Sequence, residues 1–185
     1  MKPLRFTNLL SFGLTLALVF SLAACSRKPS AAAKAEKTDD QAAPQMASII
    51  HAGDPQSDTQ LVSGFYDVEE HAWRWTSQKF SVVLKPPAGG AERGATLTLQ
   101  LAVPDPVISK LKSVSLSGTV GPSALAPETY TKAGQYTYTR DIPANLLSAE
   151  AVRVDFQLDK ALPPGTNGDQ RELGVIVSSV GLEAK

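Results

Sequence analysis

Beyond residue 60 apolar side chains recur at every second position, the mark of strands with one face buried. Six segments carry this pattern. Phe80, Val82 and Leu84 alternate with polar neighbours except at Val83, and Leu97, Leu99, Leu101 and Val103 alternate with Thr96, Thr98, Gln100 and Ala102. Val114, Leu116 and Val120 keep one parity with Gly118 among them, and Tyr136 and Tyr138 stand between threonines. Val152, Val154, Phe156 and Leu158 oppose Arg153, Asp155 and Gln157. In the last segment Leu173, Val175 and Val177 precede Val180 and Leu182, so the parity changes near Ser178 and Ser179. A β-bulge there would keep both halves facing inward.

Between the segments lie Pro86-Pro87-Ala88-Gly89-Gly90, Pro104-Asp105-Pro106, Gly121-Pro122, Ala133-Gly134 and Pro163 to Gly168, all of them turn chemistry. Short strands so punctuated predict an all-β fold, a single jelly-roll-like β-sandwich over residues 60–185. Pro143 to Leu147 is the one expected helical turn. A membrane barrel is disfavoured, because these strands are shorter than the roughly 9 to 11 residues that cross lipid.

The N-terminal third follows other rules. Basic Lys2 and Arg5 precede an apolar stretch from Leu9 to Ala24, 16 residues interrupted by Ser11, Gly13, Thr15 and Ser21. A spanning helix needs roughly 20 mainly apolar residues, so a signal peptide over 1–24 fits better. The single cysteine of the chain, Cys25, follows Leu22-Ala23-Ala24. That arrangement resembles the lipobox of bacterial lipoproteins. The resemblance implies a thiol carrying a diacylglyceryl group, an acylated new amino terminus (hence palmitate) and a membrane as partner. A soluble product cut after Ala24 would instead leave a free thiol at its first residue. Ser26, where no Asp stands, favours by the same resemblance the periplasmic face of the outer membrane in a diderm cell.

Residues 25–59 are poor in large apolar side chains and mixed in charge, which predicts a flexible tether. A coil of that length spans about 30 to 35 Å. Met46 to Ile50 is a small apolar island in it that either docks on the domain or starts it.

Charge then narrows the function classes. With Lys2 and Arg5 removed, 16 basic residues face 18 acidic ones, so no basic field for nucleic acid exists. A disulfide within the chain is excluded by the single cysteine, and the hydrophobic core has to suffice. No Gly-x-Ser-x-Gly elbow occurs, and the histidines are only His51 and His71. Glu69 and Glu70 would point to opposite faces of a strand, a poor pair for glycoside hydrolysis. No Cys/His cluster or linear calcium loop is present, which leaves a calcium held by turn oxygens as the sole metal reading. The expectation is no catalysis, no cofactor and no metal site.

Two stretches concentrate functional residue types: Gly64 to Thr76, with both tryptophans, and Gly168 to Gly174. The order Gly-aromatic-Tyr, Glu, Arg-Trp-Thr, closed by Asp-x-Arg-Glu-Leu-Gly-x-x-Val-x-x-Val-x-Leu, resembles β-sandwich modules appended to bacterial glycosyltransferases and other cell-envelope proteins. In that pattern Glu69, the pair Arg74 and Trp75, and the closing Asp169 and Arg171 are the matching positions. The resemblance implies a sugar-related binding module, without glycosyl transfer because no catalytic domain accompanies it. Taken by themselves, Tyr66, Glu69, Trp73, Arg74, Trp75, Asp169 and Arg171 are the residue types that stack on sugar rings and bond to hydroxyls. The competing reading makes Trp75 a core residue and has Glu69 pair with Arg171 or Arg74 to fasten the first strand to the last. Tyr136 and Tyr138 read as packing. The partner is thus an envelope glycan or, if the lipoprotein is a scaffold, an envelope protein.

Overall fold

The computed structural model describes residues 45–185. The expected signal peptide, Cys25 and most of the expected tether lie outside these described residues.

Among the described residues nine strands form one continuous ladder: β1 (Ile49–His51), β2 (Leu61–Glu69), β3 (Trp73–Leu84), β4 (Ala95–Val103), β5 (Val114–Val120), β6 (Ser123–Tyr130), β7 (Gly134–Ile142), β8 (Val152–Leu158) and β9 (Ile176–Ala184). Their order is β6-β5-β8-β3-β9-β4-β7, with β2 added beside β3 and β1 beside β9. The ladder doubles over at β3. Its residues Lys79 to Leu84 pair with β8, whereas Arg74 and Trp75 pair with Val177 and Ile176 of β9. One strand therefore belongs to both layers of the sandwich.

Alternation builds the interior. In β4 the residues Ala95, Leu97, Leu99, Leu101 and Val103 are all buried, and in β8 so are Val152, Val154, Phe156 and Leu158. Phe80 stacks on Phe156 with centroids 5.0 Å apart, and Tyr138 of β7 meets Phe156 edge-on at 6.3 Å, which joins the layers. The two ends of the ladder are also bound together. Tyr138 donates its hydroxyl to Ala126 O at 2.9 Å, and Arg140 donates to Ala126 O and to Glu128.

The expected bulge near Ser178 and Ser179 is present. Gln100 faces Ser179 while Leu101 faces Val177, so Ser178 is the extra residue. The 3₁₀ turn Ala144–Leu146 falls on the expected helical turn. Three differences have local causes. Pro104-Asp105-Pro106, expected as a turn, opens a seven-residue helix α1 (Asp105–Leu111), because proline is well suited to the first helical positions. In β6 only Leu125 and Tyr130 are buried and Pro127 interrupts the pattern, as an edge strand allows. The apolar island enters the sheet, since β1 pairs Ile49 to His51 with β9 and buries Ile50. Folded structure thus begins ahead of residue 60.

Candidate functional site

The β2–β3 hairpin carries most of the candidate residues. Ala72 N donates to Glu69 O at 3.1 Å, which closes a two-residue turn whose central residues Glu70 and His71 both have positive φ, 52° and 54°. That is the conformation a tight hairpin needs and one that side chains resist. It sets Glu69 directly opposite Trp73. Two residues on, Trp75 stands opposite Ile176 of β9. Cross-strand partners and alternate residues share a face, so Glu69, Trp73, Trp75 and Ile176 form one row.

In this row Trp75 is half-buried and, like Tyr66, packed on the core, while half-buried Trp73 is not among the side chains packed there. Sequence reasoning left Trp75 open between core and surface; it has a part in each. Beyond Ile176 the face runs into a shallow depression of about 400 Å³ between Ala102 and Gln135. Ile176 was missed as a site residue because its place depends on the register of β9 against β3, which no linear motif carries.

Arg171 organises the charged side. Asp169 accepts both the Arg171 backbone N–H at 2.8 Å and its guanidinium, with Nη2 to Oδ2 at 2.8 Å. Arg171 Nη1 donates to Glu69 Oε1 at 2.9 Å. The guanidinium also lies over the Tyr66 ring, 5.2 Å from its centroid. The Arg171 side chain, and after it the Arg171 backbone N–H, hold the Asp169 carboxyl below the usual carboxylate range. The same hydrogen bond raises the Arg171 pKa further against the opposing effect of burial. Tyr66, Glu69, Asp169 and Arg171 are therefore one cluster.

Arg74 stands apart from it. Its register partners are Val68 and Val177, on the strand side opposite the tryptophans. The guanidinium donates to Ala52 O, Tyr66 O and the Asp58 carboxylate, so it fastens the segment around residues 52–58 to the hairpin. Glu70 and His71 are exposed at the hairpin tip. Among the described residues no group of three or more His, Cys, Asp or Glu side chains could hold a metal ion.

No family model and no curated protein matches the chain. Solved structures do align with it, among them the following two. One is a CBM4 structure, 15% identical over 74% of this chain and 85% of that one, with a TM-score of 0.35. The other is the carbohydrate-binding module TmCBM27, studied for specific mannan recognition, 12% identical over 76% of this chain and 98% of that one, with a TM-score of 0.44. At that similarity they define neither a family nor a ligand for this chain.

Proposed function

We propose that this chain is a non-catalytic envelope lipoprotein, anchored by lipid on Cys25, whose sandwich binds a glycan through the face bearing Trp73 and Trp75. The observation that carries the reading is the row itself: two tryptophans on one side of a strand, with Glu69 across from the first. Flat indoles suit the apolar faces of sugar rings, and carboxylates held by a guanidinium suit their hydroxyls. The ion pairs of Arg171 keep Glu69 and Asp169 in fixed positions beside that row.

Tryptophan emission during titration with soluble envelope polysaccharides tests it. A saturable change should appear in the native chain and vanish in Trp73→Ala at an unchanged melting temperature. Silence toward every polysaccharide would end the glycan reading. Anchoring has a separate check, in which Cys25→Ser should abolish incorporation of labelled fatty acid. Retained label would refute the lipidation site. In a diderm cell the anchored protein would face the periplasm from the outer membrane, a placement that fractionation decides.

A scaffolding role, with a protein partner in the envelope, is supported by a different observation. Among the described residues β2 pairs only with β3, and its Val62 and Val68 are exposed at 44% and 36%. An unpaired edge with apolar side chains can take an added strand. Charged substitutions at Val62 and Val68 that leave glycan binding intact but cost envelope crosslinks would favour this second reading.

A further inference from the structure

Further along β3 the outward positions of four adjacent strands enclose a second cleft, about 310 Å³, whose floor is the strands themselves at Phe80 and Phe156, two residues buried in the core. Its walls are polar in two cross-strand rows. Ser63 faces Ser81, Ser81 faces Asp155 and Asp155 faces Thr119. In the next row Gln157 stands between Lys79 and Ser117.

A hydrogen-bonded frame organises the cleft. Ser81, only 1% exposed, shares a 2.7 Å hydrogen bond with Ser63, and its Oγ accepts from Arg153 Nη2 at 3.0 Å. Arg153 Nε donates to Asp155 Oδ1 at 2.8 Å. These bonds aim the guanidinium while spending two of its five N–H donors. Lys79 is exposed and makes no ion pair among the described residues. The cleft thus presents two cations against one carboxylate, ringed by hydroxyls and an amide.

We propose that this cleft binds a carboxylate-bearing sugar unit, free or within a polymer. Lys79 and Arg153 receive the carboxylate. Asp155 and Gln157, with the hydroxyls of Ser117 and Thr119, take the ring hydroxyls. Lys79 selects against a neutral sugar, which leaves it unpaired, and the Asp155 carboxylate selects against a bare anion, which brings it no hydroxyl donors. This site shares no residue with the tryptophan row, and the inference does not depend on that reading.

The test is amide and indole chemical-shift mapping of the full chain during titration with D-glucuronate, an oligouronate, D-glucose and inorganic phosphate. The uronates should shift the amides of Ser81, Asp155 and Gln157, and Lys79→Gln should weaken their binding at least tenfold, while Lys110→Gln on α1 should not. Tighter binding of the oligomer than of the monomer, read at the same amides, would identify the polymer as the source of the unit. Equal shifts with glucose or with phosphate, shifts confined to the Trp73 and Trp75 indoles, or affinity unchanged in Lys79→Gln would each overturn the proposal.

Discussion

Arg171 meets Glu69 at 2.9 Å across 102 residues of sequence, and so ties the loop before β9 to the end of β2. Asp169 completes that tie, and its pH dependence can be isolated. Its folded pKa is lowered, first by the Arg171 side chain. The contribution to stability is therefore complete above the ordinary carboxylate value of about 3.9 and is lost as pH falls through the lower folded value. Urea midpoints of the native chain and Asp169→Asn should converge as pH falls toward about 2, once both side chains are neutral. A constant gap at all pH values would mean that Asp169 acts by shape and not by charge. Glu69→Gln, which breaks a half-exposed pair, should cost less than about 1 kcal/mol.

Two tyrosines that close the core differ in one hydrogen bond. Tyr138 donates to Ala126 O, while the buried Tyr130 hydroxyl has no partner among the described residues. Tyr138→Phe should cost about 1 kcal/mol, and Tyr130→Phe should cost nothing or stabilise. Burial, with the Glu128 carboxylate adding to it, raises the Tyr130 pKa. Its contribution is thus intact below the ordinary tyrosine value of about 10 and is lost as pH rises through the higher folded value. Ultraviolet titration of phenolate should lose its most alkaline step in Tyr130→Phe. Survival of that step would reassign it.

Phe156 touches both layers, stacking on Phe80 and meeting Tyr138 edge-on. Its truncation leaves a cavity that neither sheet can close alone. Phe156→Ala should lower stability by about 3 to 5 kcal/mol, and Phe156→Leu by clearly less. Denaturant unfolding would measure both, and similar values for the two would show that the aromatic bridge contributes little.

The strands that were legible in the sequence are those that bury every second residue, as Leu97 to Val103 and Val152 to Leu158 do. Those that escaped notice break this rule for physical reasons. In β2 the register against β3 shifts three times, and Gly64 has φ 76° where an added Cβ would lie 2.0 Å from Lys79 O. Its apolar residues therefore keep no parity. For the candidate site, the residue types in 64–76 and 168–174 singled out two stretches that the fold joins through Arg171 and Glu69. The sorting of Arg74 from Trp73 and Trp75 depended on strand parity, and the entry of Ile176 on a pairing 101 residues away. Ser81 was invisible as a site residue because polar positions on a strand usually mark nothing more than the solvent side.

Gln60 is the last instance, and it bears on how the segment ahead of β1 is held to the sheet. The side chain is 4% exposed and behaves as a length of backbone: Ala47 N donates to Oε1 at 2.8 Å, and Nε2 donates to Ala47 O at 2.9 Å and Val83 O at 2.7 Å. It stitches the segment leading to β1 onto the end of β3. Gln60→Ala would leave the Ala47 N–H without that acceptor and should cost about 2 kcal/mol. Gln60→Glu should cost more at neutral pH, because a carboxylate would face two carbonyl oxygens, and less in acid, where its proton restores one donor. Hydrogen exchange locates the effect. Amides of residues 47–51 should lose protection while those of β3 and β8 keep it, and equal protection throughout would show that β9 alone holds β1 in place.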